Sequence, residues 1–206
     1  MKISIIDLDL CNVNSISKCV EHTGFKYNIA KSPSDIEKSD KIIFPGIGSY
    51  PAIMNKLIEN KWLQILDHKV IKERKKYLGI CLGMQILSDN GEEFTTSNGL
   101  GYIGGKVVNM KNLNCNLQLP HTGWNSVDIK KENILFKSIK NKTNFYFNHS
   151  YVVTNTQDKF VLSETFHDIN FPSSVNKKNI YGVQFHPEKS STAGVQLIKN
   201  FLTLMN

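Results

Sequence analysis

The sequence predicts an α/β fold with a mostly parallel central sheet, helices on both of its faces, and an added antiparallel sheet in the C-terminal half. Two observations carry this prediction. Short apolar strands alternate with helical segments through the first half of the chain, and such β-α-β alternation is typical of parallel sheets. From about residue 99, short segments rich in Val, Ile, Phe and Tyr alternate with turn residues, which is typical of antiparallel strands.

The first half of the chain supplies the parallel strands and the helices that connect them. Residues 2–6 are apolar with little alternation, as expected of a strand buried on both faces. The elements expected after it are, in order, a helix capped at Asn12 or Asn14 and closed by Gly24, a strand at 25–30, a short helix from Ser32, a strand at 41–44, and two helices between 53 and 70.

The chain then runs from an apolar strand into a helix through Gly79-Ile80-Cys81-Leu82-Gly83, with the helix expected to reach Leu87. Glycines two residues either side of a nucleophile mark an elbow, because strand and helix cross there too closely for a Cβ atom. Helix-terminal N–H groups at such a corner favour a thiolate. A buried structural cysteine is the alternative, but it needs neither glycine. The segment therefore predicts covalent chemistry at Cys81.

The second half of the chain is expected to hold short strands and a closing helix. The helix covers 192–204, because apolar residues recur there at helical spacing. No repeat or low-complexity linker interrupts the sequence, so we expect one domain over residues 1–206. The strands expected in this half are 102–108, 124–129, 144–147, 151–154, 160–166 and 180–185.

Composition argues against several classes of function. No run of about 18 apolar residues occurs, so a membrane span is not expected. The four cysteines form no Cys-x-x-Cys pair and no zinc-type cluster with histidine, so we expect no metal, no cofactor and a reducing, cytoplasmic compartment. The formal net charge is +7, but the basic residues are dispersed lysines with Arg74 as the single arginine. This distribution favours a solvated surface over a nucleic-acid site.

A second segment can supply a base for the cysteine. At 182–188, Gly-Val-Gln-Phe-His-Pro-Glu ends an apolar strand with a histidine and places a carboxylate two residues further on. The proline stiffens the turn, so the carboxylate can reach back to the imidazole and fix its tautomer. Cys81, His186 and Glu188 then have the nucleophile, base and orienting roles of a catalytic triad. A strand that merely ends in His-Pro-Glu is the alternative for this segment taken alone.

Pro45-Gly46-Ile47-Gly48 directly follows the third strand. Glycines after a strand can cradle a phosphate, but Gly-x-Gly alone lacks the rest of any dinucleotide fingerprint. The alternative is a flexible backbone loop that presents N–H groups to a neighbouring site.

Together these segments carry a resemblance to class I glutamine amidotransferases. The elbow at 79–85 and Phe-His-Pro-Glu-Lys-Ser at 185–190 are similar to the two signatures of that family. Further pieces resemble, in order and spacing, the branch that forms glutaminase subunits of imidazole glycerol phosphate synthase. They are Pro-Gly-Ile-Gly at 45–48, Gly-Leu-Gly at 99–101, Pro-His-Thr-Gly-Trp-Asn at 120–125 and Tyr-Phe-Asn-His-Ser-Tyr at 146–151.

The resemblance implies an enzyme that hydrolyses glutamine to glutamate and ammonia through a cysteine thioester. The ammonia would pass to a cyclase subunit, its heterodimer partner, which makes imidazole glycerol phosphate and AICAR in histidine biosynthesis. We expect the glutaminase to be nearly silent alone and to be switched on by its partner through rotation of a peptide plane in the glycine loop. By resemblance the oxyanion hole is formed by Gly46, Ile47, Gly48 and Leu82, glutamine is bound by Gln85, Glu93, His149, Ser150 and Tyr151, and the partner is contacted by Asn12, Trp124 and Lys189.

Departures from the family pattern lie toward the partner side. Leu8, Asp9 and Cys11 stand where the family has Tyr, Gly and Gly, Thr122 replaces Met, and Asn148 replaces Val. They bear on which partner is used, a (βα)₈ cyclase or the sugar-amidating enzyme served by paralogues that donate ammonia to bacterial surface sugars. A stand-alone cysteine hydrolase is a further alternative, disfavoured by the His-Pro-Glu placement and the lack of a substrate lid. A non-catalytic binding subunit is disfavoured by the intact triad.

Overall fold

The structure is a computed structural model that describes residues 1–9 and 13–205. Within these residues the α-helices are α1 (Val13–Glu21), α2 (Tyr50–Glu59), α3 (Trp62–Leu66), α4 (Leu82–Gln85) and α5 (Ser191–Thr203). The strands are β1 (Ile3–Ile6), β2 (Asn28–Ala30), β3 (Lys41–Gly46), β4 (Lys76–Cys81), β5 (Asn90–Gly91), β6 (Ser97–Asn98), β7 (Lys106–Asn109), β8 (His121–Ser126), β9 (Asp128–Ile129), β10 (Asn144–His149), β11 (Tyr151–Thr154), β12 (Val161–His167), β13 (Ile169–Lys177) and β14 (Ile180–Val183).

The main sheet has the order β2-β1-β3-β4-β14-β13-β12-β9. Its first five strands are parallel, and the last three continue the same sheet as antiparallel neighbours. Two smaller sheets, β10-β8 and β11-β7-β5-β6, lie beside it. The predicted α/β class with a mostly parallel sheet and antiparallel additions is confirmed.

Apolar side chains leave the central strands in alternating directions and form two cores. Ile43 joins the cluster that contains the buried faces of α1 and α5. Its neighbours Ile42 and Phe44 join the cluster that contains α2 and α3. Because successive side chains of a strand point to opposite faces, the two clusters are the two covered faces of the sheet.

The longest strand, β13, is missing from the elements predicted for the C-terminal half. It lies deep in the sheet, yet its middle reads Pro172-Ser173-Ser174, which lacks an apolar pattern. The two serines are fully buried, and their hydroxyls share hydrogen bonds with Ser163 Oγ on β12, at 2.9 and 2.6 Å. Pairing between hydroxyls replaces apolar packing here, so hydrophobicity could not reveal the strand.

Other predicted elements differ in their bounds or their place. The strand expected at 25–30 is only Asn28–Ala30, because only these residues pair with β1. The strand expected at 180–185 is β14. It pairs in parallel with β4 on one side and antiparallel with β13 on the other, so it belongs to the main sheet. The helix α1 begins at Val13, so Asn14 lies inside it and is not its cap, while Asn12 falls outside the described residues.

Three parallel strands bring their carboxyl ends to one edge of the sheet, where polar residues follow them. Gly46 at the end of β3 pairs with Cys81 at the end of β4. The strand β14 lies next to β4, and the chain runs from its carboxyl end to His186. Sites in parallel α/β sheets form at this edge, so the topology gathers the candidate residues. In the part of the chain described, no helix has the length and apolarity needed to cross a membrane.

Candidate active site

The turn from β4 into α4 is the elbow that the sequence predicts. Cys81 has φ 53° and ψ −110°, a backbone conformation that residues other than glycine rarely adopt. A Cβ atom on Gly79 would lie 2.1 Å from the carbonyl oxygen of Gly83, and one on Gly83 would lie 2.0 Å from the carbonyl oxygen of Phe44. Both glycines are therefore required by close backbone contacts, as expected from their spacing around the cysteine.

A cavity of about 410 Å³ opens at this corner. That volume is in the range typical of small-molecule sites. It gathers nearly all of the residues singled out from the sequence, although they come from segments far apart in the chain. Its walls include Gly46, Ile47, Gly48, Cys81, Leu82, Gln85, Glu93, His149, Ser150, Tyr151, His186, Glu188 and Lys189.

His186 connects the cysteine to a carboxylate. Its Nδ1–H donates to Oε1 of Glu188 at 2.8 Å, and its ring shares the cavity with Cys81. Burial by itself lowers the pKa of His186, but the charge of Cys81, followed by the hydrogen bond and charge of Glu188, raises it well above the ordinary value of 6.5. Both side chains of the His186–Glu188 pair are 5% exposed. The geometry favours a protonated imidazole beside the sulfur.

The backbone of His186 is fixed by β10 and by the turn that follows. Its N–H donates to the carbonyl of Tyr146 at 2.8 Å. Ser190 Oγ–H donates to the carbonyl of His186 at 2.6 Å and accepts from the N–H of Tyr146 at 3.0 Å. Pro187 opens the short 3₁₀ turn that brings Glu188 back toward the ring. The sequence prediction that proline stiffens this connection agrees with the geometry.

Residues 45–48 are a candidate flexible loop by sequence, but the first two of them belong to a strand. Pro45 and Gly46 continue β3, and a Cβ atom on Gly46 would lie 2.8 Å from the backbone nitrogen of Gly83. The contact with the elbow, rather than flexibility, thus requires glycine at position 46. Gly48 has φ +97° and no neighbour within 4 Å of a would-be Cβ atom. Rotational freedom in this segment is confined to the region of Ile47 and Gly48.

Two further wall residues are already hydrogen-bonded to the protein. Glu93 Oε2 accepts from the backbone N–H of Tyr50 at 2.7 Å, at the start of α2. Burial raises the pKa of Glu93, and this hydrogen bond opposes the rise. Gln85 Nε2 donates to the carbonyl of Tyr151 at 2.9 Å and to Oε1 of Gln184 at 3.1 Å.

Sequence reasoning missed Gln184, whose Nε2 lies 3.6 Å from Sγ of Cys81. It is fully buried. The signal that could have found it is a polar residue between Val183 and Phe185 in an otherwise apolar run. It also missed His121, whose Nδ1 lies 3.2 Å from Nε2 of His149.

Of the residues expected to contact a partner, Lys189 lines the cavity, Trp124 lies beside it across Tyr146, and Asn12 falls outside the described residues. Trp124 is 54% exposed and its ring lies 6.3 Å from that of Tyr146. Lys189 Nζ lies 5.5 Å from the centre of the same tyrosine ring, so Tyr146 contacts both residues. Asn12 and Cys11 fall outside the described residues. Across the residues described, no group of three or more His, Cys, Asp or Glu side chains is arranged to hold a metal ion.

With a cysteine elbow joined to His186 and Glu188, the site is that of a cysteine-dependent acyl transfer enzyme. The profile of the family described as "Glutamine amidotransferase class-I" matches residues 4–205. The chain belongs to the class I glutamine amidotransferase family, and the predicted glutamine amidotransferase activity is confirmed at that level.

Particular relatives match nearly the whole chain. It is 41% identical to "Imidazole glycerol phosphate synthase subunit HisH 1" of Campylobacter jejuni strain 81-176, over 98% of this chain and 100% of that one. It is 44% identical to "Imidazole glycerol phosphate synthase subunit HisH" of Pyrococcus furiosus, over 98% and 99%. The corresponding HisH 2 subunit of Vibrio vulnificus is 43% identical, over 98% and 94%. These similarities confirm the resemblance drawn from the motifs.

Solved structures agree on the fold. PurLQS from Thermotoga maritima aligns with a TM-score of 0.74 at 17% identity, over 98% of this chain and 97% of that chain. A glutamine amidotransferase from the same organism aligns with a TM-score of 0.69 at 14% identity, over 98% and 82%.

Proposed function

We propose that this chain is the glutaminase subunit of an imidazole glycerol phosphate synthase. It hydrolyses glutamine and delivers ammonia to a (βα)₈ cyclase subunit that makes imidazole glycerol phosphate and AICAR in histidine biosynthesis. The observation that carries the proposal is the gathering of Cys81, His186 and Glu188 on one cavity at the carboxyl edge of the sheet, with His186 hydrogen-bonded to Glu188. The HisH names of full-length relatives support the pathway.

In the first step the Cys81 thiolate attacks the side-chain amide carbon of glutamine. Negative charge develops on the amide oxygen, which needs N–H donors. The backbone N–H of Leu82 and one from the Gly46–Gly48 segment are the candidates, because both segments line the cavity beside the sulfur. One such donor contributes about 3 kcal/mol to transition-state stabilisation.

In the second step His186 transfers its proton to the departing nitrogen, so that ammonia leaves and a γ-glutamyl thioester remains on Cys81. His186, now neutral, takes a proton from water, which attacks the thioester carbon. The carbon–sulfur bond breaks, glutamate leaves, and the thiolate and imidazolium are restored. Glu188 holds the ring by its Nδ1–H throughout, which keeps Nε2 directed to the reacting atoms.

The far wall of the cavity is the proposed glutamine-binding surface. The Glu93 carboxylate suits the α-ammonium group of the substrate, while Ser150 and Tyr151 offer backbone groups. Gln85 and His149 also line this wall, but their side chains bond to protein groups, so their contribution is to shape it.

The proposed partner surface surrounds the mouth of the cavity near Trp124 and Lys189, with Asn12 assigned by resemblance. Two departures from the family pattern form a pair on this surface: Thr122 and Asn148 face each other across β8 and β10, and Thr122 Oγ1–H donates to Asn148 Oδ1 at 3.0 Å. Both side chains are exposed. A polar pair in place of an apolar one bears on which partner is used, and an ammonia-accepting enzyme for surface sugars is the second candidate.

Glutamate release by the purified chain, measured alone and with each candidate partner and its acceptor, tests the proposal. We expect trace activity alone and an increase of about 10²–10³-fold with the cyclase and its nucleotide substrate, the range that one oxyanion donor controls. Activation by a sugar-amidating enzyme instead would assign the second candidate. Full-speed hydrolysis by the isolated chain, unchanged by either partner, would contradict partner control and favour a stand-alone hydrolase.

A further inference from the structure

Behind the Cys81 sulfur lies a side-chain amide that the mechanism above leaves without a role. Gln184 Nε2 lies 3.6 Å from Sγ of Cys81, within reach of an N–H···S hydrogen bond. The side chain is fully buried, so no water competes for its donor. A hydrogen bond to a charged acceptor is stronger than one between neutral groups. An amide N–H at this point would stabilise the thiolate and fix the position of the sulfur.

The direction of the Gln184 amide is set by its neighbours. The carbonyl oxygen of Tyr151 can only accept, so Gln85 must turn its nitrogen toward it, at 2.9 Å. The second hydrogen on that nitrogen is donated to Oε1 of Gln184 at 3.1 Å. Because the Gln184 oxygen is used in this way, its NH₂ end faces Cys81.

The same carbonyl oxygen anchors a second branch. His149 Nδ1–H donates to the carbonyl of Tyr151 at 3.0 Å, which makes Nε2 of His149 an acceptor. That nitrogen accepts from His121 Nδ1–H at 3.2 Å. Nε2 of His121 in turn accepts from Asn125 Nδ2 at 3.1 Å. Asn125 Nδ2 also donates to the carbonyl of Phe166 at 2.9 Å, which fixes the amide at this end.

Both histidines must be neutral for every link to have one donor and one acceptor. Burial lowers the pKa of His121 to about 4 and that of His149 to about 3, with neighbouring histidines as the next cause. Near neutral pH each ring therefore carries a single N–H. The hydrogen bonds form an unbroken chain from Asn125 on β8, beside the exposed Trp124, to the sulfur of Cys81.

We propose that Gln184 is a positioning residue for the Cys81 nucleophile, held in its working orientation by the hydrogen-bond chain of Gln85, the Tyr151 carbonyl, His149 and His121. The inference rests on the proposed function for the reaction that the sulfur performs. The hydrogen bond itself acts on the thiolate whatever the substrate is, so it can be tested without glutamine.

The test is the rate at which iodoacetamide alkylates Cys81, followed by mass spectrometry of its peptide between pH 6 and 9. The first variant is Gln184→Met, which keeps the length and approximate volume of the side chain but removes its N–H donor. We expect alkylation at neutral pH to slow about tenfold and the midpoint of the rate–pH profile to move upward, because the thiolate loses a charge-assisted hydrogen bond.

The second variant, His121→Phe, breaks the chain at a distance from the sulfur. A phenyl ring keeps the stacking on Phe147, whose centroid lies 4.8 Å away, but donates nothing to His149. We expect alkylation to slow by about 2- to 3-fold, since losing the His121 link loosens His149 on the Tyr151 carbonyl, which it shares with Gln85, while the Gln184 donor itself stays in place. The matched control is His167→Phe, because His167 stacks on His121 at 4.0 Å but lies outside the chain. It should alkylate at the parental rate.

Slow alkylation of the buried thiols of Cys19 and Cys115 in the same samples verifies that each variant is folded. A parental midpoint in Gln184→Met would overturn the proposal. Equal rates in His121→Phe and His167→Phe would overturn the part assigned to the chain. Glutamine kinetics are read separately, with kcat reduced and KM unchanged in Gln184→Met. If the parent fails to hydrolyse glutamine with any partner, the proposed function fails, while the alkylation result stands.

Discussion

At the scale of single residues, the surroundings of three buried thiols distinguish the proposed nucleophile, Cys81, from Cys19 and Cys115. Burial, and then the charge of Glu188, raise the pKa of Cys19 to about 12, so this thiol stays protonated. The S–H of Cys115 donates to the carbonyl of His167 at 3.5 Å. Cys81 alone among them lines the cavity that also holds His186, and its charge raises the pKa of that imidazole.

The first prediction concerns the nucleophile. Cys81→Ala should reduce glutamine hydrolysis by about 10³-fold or more, because the thioester can no longer form. Partner binding and the thermal unfolding midpoint should stay near the parental values. The control is Cys115→Ser, which keeps a donor toward the His167 carbonyl and should retain turnover. Glutamate release by Cys81→Ala at the parental rate would remove Cys81 from the mechanism.

The second prediction concerns the orienting carboxylate. Glu188→Gln keeps the shape of the side chain but removes the charge that stabilises the imidazolium, and its amide can favour the wrong tautomer. We expect kcat for glutamine to fall by about 10²–10⁴-fold, less than in His186→Ala. Circular dichroism should show a folded protein. A kcat equal to that of the parent would mean that the carboxylate plays no part in turnover.

At the scale of elements, the elbow depends on close contact between β3, β4 and α4. The third prediction is that Gly79→Ala destabilises the protein by about 3 kcal/mol or more, since its Cβ atom would lie 2.1 Å from a backbone oxygen. The matched control is Gly24→Ala, where φ is +81° but nothing lies within 4 Å. It should cost about 1–2 kcal/mol, from backbone strain alone. Urea unfolding of both variants gives the comparison, and equal losses would contradict the contact.

The elements and residues that sequence could predict are those whose signal is local. The glycines around Cys81 and the His186–Glu188 turn lie within short segments, so spacing alone indicated their geometry. Gln184 carries a local signal, a polar side chain within an apolar run, but its contacts and those of His121 depend on partners that only the folded chain brings together. The strand β13 could not be predicted for a related reason: its buried serine hydroxyls form hydrogen bonds with a serine of β12, so the strand lacks an apolar pattern.

At the scale of the whole molecule, the buried histidines make stability depend on pH. The fourth prediction follows from their lowered pKa values, about 4 for His121 and about 3 for His149. In the unfolded chain both rings bind protons below about pH 6.5, but in the folded protein they do not until pH falls further. Unfolding therefore takes up protons between about pH 4 and 6.5, and the free energy of unfolding falls as pH decreases through this window.

Urea unfolding at several pH values between 4.5 and 7.5 measures this slope. In His121→Phe one titrating ring is absent, so the slope should become shallower by up to about 1.4 kcal/mol per pH unit. The control His22→Gln alters an exposed histidine and should keep the parental slope. Parallel curves for His121→Phe and the parent would show that this ring is not the source.

The position of β14 has a consequence for synthesis on the ribosome. This strand comes near the end of the described chain, yet it fills the gap between β4 and β13 in the middle of the sheet and leads directly to His186. While residues 180–188 remain in the exit tunnel, the elbow can exist but Cys81 has neither its base nor the Gln184 amide. On the proposed mechanism, we therefore expect a nascent chain at this stage, or a product truncated before this strand, not to hydrolyse glutamine.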